Sequence, residues 1–362
     1  MLHDIRSFPE ENWMTRRVRA AVVGFLVATT TIVTATTGTA ELKPAIVMSA
    51  VSERELAAID SALVWIAGRQ QDDGSWVFDH GQPHRHRDAA TALAVLTLLG
   101  RGYTHRHGLY QQQLDKGLAY LCARVAEDGG RDVATRGTMY SAGLVSLALC
   151  RAYGLSKDAT LAKPAQSTID FIVDAQDPAG GGWRYMPRQP GDTSAFGWQV
   201  AALAAAAAAG LEVPAATITG AGRFLDGVQG DEDGTTYGYA TRGSTTSCSA
   251  IGLVARTRTG WPTHDPRLGR GADAITNLQP STNLYTEFHV SQLMHILGGP
   301  RNEAWRKTMV PSLLEAQAQQ GEDRGSWFDG FEKTAAANRF YCTALITLIL
   351  ETPLQPRTQE PL

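Results

Sequence analysis

Four groups of residues carry side chains suited to chemistry. Asp192 stands before Thr193 at the start of a long apolar run. A carboxyl there can act as an acid or touch a ligand, although an Asp before a helical run more often caps it. Tyr285, Glu287, Phe288 and His289 open a second run, where a phenol, a carboxylate and an imidazole lie close in sequence. Cys342 sits near the start of a third. Glu287, His289 and Cys342 are each acceptable zinc ligands, but side chains two apart on a helix diverge, so they make a weak metal set. Asp88 ends the run His84-Arg85-His86-Arg87-Asp88, which suits an anion or a metal but more often reads as a solvated loop. The loop Thr104 to His107 reads the same way. There is no P-loop, no nucleophile elbow and no paired-histidine zinc motif.

The elements that must position these residues repeat along the chain. Lys163 to Gly210 contains one full unit: an amphipathic helix with Ile169, Phe171, Ile172 and Val173, a turn with Gly180, Gly181, Gly182 and Trp183, and a second helix after Asp192-Thr193 that is apolar all round. A helix without a polar face is buried on every side, so this is an inner helix and its half-polar partner an outer one. Six such pairs follow in order. The outer helices are Glu53 to Arg69, Leu114 to Val125, the Lys163 helix, Ile218 to Val228, Ala272 to Leu278 and Trp305 to Gln319. The inner helices start at Asp88, Thr138, Asp192, Thr246, Tyr285 and Arg339. Trp65, Tyr120, Phe171 and Phe224 hold the same outer position, 55, 51 and 53 residues apart. A constant period of this size means stacked supersecondary units. Inner helices with no solvent-facing side favour a closed ring over an open solenoid. All six run the same way, so their N-termini share one mouth, made mildly positive by the helix dipoles. Any active site is expected to draw on that mouth.

Near-neutral charge, −3 in 362 residues, gives no support for nucleic-acid binding. Four cysteines are too few for a disulfide scaffold, and Cys122, Cys150, Cys248 and Cys342 read as buried free thiols. Arg16, Arg17 and Arg19 precede the uncharged run Ala20 to Thr37, which ends in small residues. Residues 1–44 are therefore an export signal with its linker, or an uncleaved anchor that holds the chain outside the cytoplasmic membrane. Residues 1–13 sit oddly before such a signal, and Met14 is the alternative start. Residues 45–352 form the helical domain, and 353–362 a Pro-rich tail expected to be loose.

The turns WIAGRQQDDGSW (65–76), FIVDAQDPAGGGW (171–183) and FLDGVQGDEDGTTY (224–237) follow one pattern: aromatic, apolar, Gln five residues after the aromatic, then Gly and an aromatic. AQAQQGEDRGSW ending at Trp327 is a looser copy. This resembles the QW repeats of the prenyltransferase and squalene-oxidase repeat superfamily, and the chain looks most like its single-toroid, squalene-cyclase-like bacterial members over about residues 52–352. The resemblance implies an all-α (α/α)6 toroid, structural roles for Gln70, Gln176, Gln229, Trp76, Trp183 and Trp327, and a hydrophobic, isoprenoid ligand in a central cavity. Squalene–hopene cyclases open an inner helix with Asp-x-Asp-Asp-Thr-Ala, whose middle Asp protonates an alkene. The matching run is Gln189-Pro190-Gly191-Asp192-Thr193-Ser194: the acid's position holds Gly191, which counts against protonation-initiated cyclisation. Prenyltransferase β-subunits hold zinc at places matching Glu287-Phe288-His289 and Cys342, with ligand types exchanged, so no cofactor is expected and zinc is a remote alternative.

The expected catalytic set is thus Asp192, Tyr285 and Glu287. The expected ligand contacts are Asp88, Tyr140, Phe196, Trp198, Phe288, His289 and Tyr341, with Phe340 beside them. A non-catalytic extracytoplasmic scaffold and a carbohydrate-active (α/α)6 enzyme, which needs two carboxylates flanking a glycosidic bond, are the alternatives.

Overall fold

The computed structural model describes residues 51–79, 86–126, 128–136, 138–276, 283–328 and 339–357. The candidate export segment, His84 and Arg85 lie outside them.

Thirteen α-helices form the described chain: α1 Glu53–Ala67, α2 Arg87–Gly100, α3 Gln111–Val125, α4 Arg131–Arg136, α5 Met139–Ser156, α6 Ala159–Asp174, α7 Thr193–Ala209, α8 Ala215–Val228, α9 Thr246–Arg258, α10 Pro266–Thr276, α11 Leu284–Leu297, α12 Gly299–Ala316 and α13 Arg339–Glu351. The inner helices α2, α5, α7, α9, α11 and α13 each touch the next, and α13 returns to α2. The outer helices α1, α3, α6, α8, α10 and α12 pack behind them. The protein is an (α/α)6 toroid. Its inner helices are buried along nearly their whole length, as their composition requires.

Three elements depart most from expectation. The short helix α4 occupies the turn of the second unit, the fifth outer helix begins at Pro266, ahead of Ala272, and the sixth begins at Gly299, ahead of Trp305.

The turns show why the repeat pattern matters. Trp76, Trp183 and Trp327 are fully buried, and each indole N–H donates to a carbonyl of its own outer helix: Ile66 at 2.7 Å, Ile172 at 2.8 Å and Leu313 at 2.7 Å. Each Gln amide reaches forward as well as back. Gln70 donates to Gly74 O and Gln113 O, Gln176 to Gly181 O and Thr217 O, and Gln317 to Gly325 O and Ala58 O, all at 2.8–2.9 Å. The second acceptor of each lies in the next unit, so the glutamine stitches neighbours together. Gln317 stitches the sixth unit to the first and closes the ring. Gln229 departs from this pattern and bonds within its own turn, to Asp231 O and Glu232 O. Gly181 is fixed at this contact: it has φ of 80°, and a Cβ there would lie 2.0 Å from Gly220 O of the next outer helix.

The alanine run of α7 serves close packing. Gly154 and Ala209 bring α5 and α7 together, with a Cβ on Gly154 falling 3.3 Å from that of Ala209. Gln199, buried in the same seam, donates to Met139 O at 2.7 Å.

The described part of the tail, residues 353–357, is packed against the ring. After α13 the chain makes one 3-10 turn, Thr352–Leu354, and lies across the C-terminal ends of the inner helices as far as Arg357. Gln355 Nε2 donates to Gly100 O at 2.7 Å and holds it there.

Candidate functional site

At the N-terminal mouth most polar residues are spent on helix starts. Thr138, Asp192, Thr245 and Asn283 cap α5, α7, α9 and α11 through their side chains. Asp79 does the same for α13, accepting from the Phe340 N–H at 2.8 Å. Asp88 faces outward: its carboxylate accepts from the Tyr120 hydroxyl at 2.9 Å and Arg124 Nε at 3.1 Å, both on α3. Glu287 also turns outward, accepting from Trp305 Nε1 on α12 at 3.3 Å.

Asp192 is different. It is fully buried, and its Oδ1 accepts from the Ala195 N–H at 2.8 Å. Its Oδ2 makes no well-formed hydrogen bond: Arg184 Nε stands 3.7 Å away, with the Tyr239 hydroxyl nearby. Burial raises its pKa, against the Ala195 N–H, Tyr239 and Arg184. Four tyrosines surround it. Tyr140 bonds Ser194 Oγ, Tyr285 donates to Ser194 O at 2.9 Å, and Tyr185 and Tyr239 share a bond of 2.8 Å. The position that resembles the cyclase acid is closed. A Cβ on Gly191 would lie 2.6 Å from the Phe224 ring and 2.8 Å from Gly182 Cα, so no side chain fits there.

The central cavity lies at the other end of the ring. It has a volume of about 130 Å³ and is lined from all six inner helices, mostly in their C-terminal halves. Its apolar part is Trp198 on α7, Phe288 on α11, Leu96, Leu147 and Leu348. Trp198 and Phe288 stack at 5.4 Å and 19°. His289 stands edge-on to Tyr285 at 4.7 Å, and its buried Nε2 has no hydrogen-bond partner. Burial, helped by the charge of Arg258, drives the His289 pKa down to about 3, so the imidazole is neutral. The polar part is Arg151 on α5, Arg258 at the end of α9, Gln292 and His295 on α11, Glu351 at the end of α13, and Gln355 and Arg357 of the tail.

The expected contacts therefore divide. Trp198, Phe288 and His289 line the cavity. Tyr140 and Tyr285 belong to the tyrosine layer about Asp192. Phe196 is packed between Trp183 at 5.8 Å and Phe224 at 4.7 Å, and Phe340 between Trp65 and Phe78. Tyr341 packs edge-on against Phe78 at 6.3 Å. Among the described residues no three of His, Cys, Asp and Glu come together as a metal site, so Glu287, His289 and Cys342 are not assembled as one. The four cysteines are free, and all but Cys122 are fully buried.

Arg151, Arg258 and Glu351 escaped the motif reading. The signal was present: each is a charge within or at the end of a helix otherwise apolar at its ring-facing positions.

No protein-family model and no curated protein matches the chain. Solved structures do. The α-1,6-mannanase of Salegentibacter sp. matches with a TM-score of 0.61 at 9% identity, over 83% of this chain and 99% of that one. The type II terpene cyclase MstE from Scytonema matches with a TM-score of 0.57 at 15% identity, over 83% and 97%. A protein from Actinoplanes matches with a TM-score of 0.53 at 15% identity, over 83% and 100%. Identities this low show the shared toroid fold.

Proposed function

We propose that this chain is a squalene-cyclase-like toroid that takes a hydrophobic small molecule of the isoprenoid class into its ring, and that it works outside the cytoplasmic membrane. The observation that carries the reading is the stacked Trp198–Phe288 pair on an apolar wall inside the cavity. The terpene cyclase among the structural neighbours, solved with a geranylgeranyl substrate, supports the ligand class. Binding is separable from cyclisation here. The closed Gly191 position leaves no place for the family's acid, and Asp192, its pKa raised by burial, is the remaining candidate proton donor, spent in part on its cap.

The carbohydrate reading has less support. It needs a carboxylate pair at the mouth, and Asp88 and Glu287 are bound to the outer helices instead. The scaffold reading would have the ring filled by its own side chains.

The test is native mass spectrometry of the full chain, purified without detergent and then offered farnesol and a mannan oligosaccharide. A retained or added lipid mass that is lost in Trp198→Ala supports the proposal. A bare chain that ignores farnesol rejects it, and an oligosaccharide adduct replaces it with the carbohydrate reading. N-terminal sequencing of the exported protein tests the signal, and recovery of residues 1–13 would end the Met14 start.

A further inference from the structure

Arg151 and Arg258 share the cavity, and no described carboxylate lies within ion-pair distance of either. Arg151 Nη2 donates to Gln355 Oε1 at 2.6 Å, and Arg258 Nη2 donates to Gln292 Oε1 at 3.2 Å. Both acceptors are neutral amides. Arg258 feels the charge of Arg151 as well as its own burial, which together bring its pKa down to about 10. Glu351 lines the same cavity, fully buried, and neither of its oxygens has a hydrogen-bond partner. Burial raises its pKa, against the charges of Arg151 and Arg101. Two like charges kept in a half-dry cavity with no carboxylate bonded to either are costly unless something anionic joins them.

A second role for these arginines is to offset the negative ends of six converging helices. Side chains in that role bond the terminal carbonyls. These two bond amide side chains instead, one of them on the tail that crosses the mouth. Gln355 is held there by Gly100 O and by His295 Nε2, which donates to Gln355 O at 3.0 Å.

We propose that Arg151 and Arg258 form the head-group site for an anionic amphiphile, a phosphate or carboxylate on an apolar stem, with the stem on Trp198 and Phe288 and the Gln355 amide oxygen holding the site until the ligand displaces it. This rests on the reading that the ring takes a hydrophobic ligand, and it specifies that ligand's charge. It also accounts for the cavity's size. About 130 Å³ is below the roughly 300 Å³ of pockets for drug-sized ligands, so such a molecule enters only as the tail withdraws.

Isothermal titration of the full chain with dodecyl phosphate, dodecanol and inorganic phosphate decides it. Dodecyl phosphate is expected to bind about tenfold or more tighter than dodecanol, the loss of a charge-assisted contact being of that order. Arg258→Gln and Arg151→Gln should each remove about that factor, with the lysine variants in between, because lysine keeps the charge without the fork. Gln355→Ala should tighten dodecyl phosphate more than dodecanol, because it frees Arg151 as well as loosening the tail. If Arg151→Gln does not fold, Arg258→Gln alone gives the answer. Equal binding of the alcohol and the phosphate ester, unaltered in the arginine variants, would overturn the head-group site and leave the hydrophobic reading standing. No binding of either would overturn both. Arginine-dependent binding of inorganic phosphate that dodecyl phosphate does not improve would overturn the amphiphile and show an oxyanion site alone.

Discussion

The two mouths of the ring use their polar residues in opposite ways. At the N-terminal mouth the described acids and hydroxyls are tied into helix caps, outer helices and one another, with aromatic rings packed among them. At the C-terminal mouth a cavity keeps two arginines on neutral amides and leaves the Glu351 oxygens and His289 Nε2 with no hydrogen-bond partner. The N-terminal mouth holds the residue types that look catalytic in sequence, yet capping accounts for most of them. Unfulfilled hydrogen-bonding capacity, rather than residue type, marks the end with room for a ligand. Asp192 Oδ2 is the exception on the N-terminal side, and Asp192 does not line the cavity.

The contrast can be broken at several points. The largest effect is expected at the shared frame. Trp183→Ala should cost about 3–5 kcal/mol in denaturant unfolding, as a fully buried aromatic with its N–H satisfied. An unshifted, soluble variant would mean that the turn does not hold the ring. Next is Gly191→Ala, expected to cost about 1–3 kcal/mol because its Cβ meets Phe224 and Gly182. A neutral result would show space at the N-terminal mouth and reopen it as a site.

Glu351→Gln sharpens the comparison through pH. Burial raises the Glu351 pKa above its ordinary 4.5, against the charges of Arg151 and Arg101 and with that of Asp60. The folded chain thus holds a proton over a range where the unfolded chain has lost it. Its contribution to stability is complete below about 4.5 and is lost as pH rises toward the folded value. The glutamine variant lacks that loss, so it should gain on the parent from about pH 4.5 upward, by at most about 1.4 kcal/mol per pH unit. Parallel stability curves for the two proteins would place an ionised Glu351 against the arginines and undo the contrast. The smallest effect belongs to Asp192→Asn. As a cap it should cost about 1 kcal/mol or less and leave farnesol binding unchanged. Loss of an activity with folding intact would make Asp192 an acid and the N-terminal mouth a working site.

Much of the frame was legible in the chain itself. A 3.6-residue period that is apolar on one side in outer helices and on every side in inner ones sorts the two layers. Gln70, Gln176 and the tryptophans six and seven residues beyond them mark the turns. These are local signals, because a helix reports its own burial through its own composition. Asp192 as the cap of α7 was readable for the same reason. Contacts between units were beyond such a reading. Nothing near Asp88 in sequence says that Arg124 and Tyr120 will claim it, and nothing near Glu287 names Trp305. Arg151, Arg258, Glu351 and Gln355 come from three inner helices and the tail, and only closure of the ring places them around one cavity. Sequence determined that six apolar helices must be buried together and where each begins and ends. The tertiary structure decided at which mouth the described polar groups are paired and at which they are left unpaired, because that depends on hydrogen bonds summed across all six units rather than within any one.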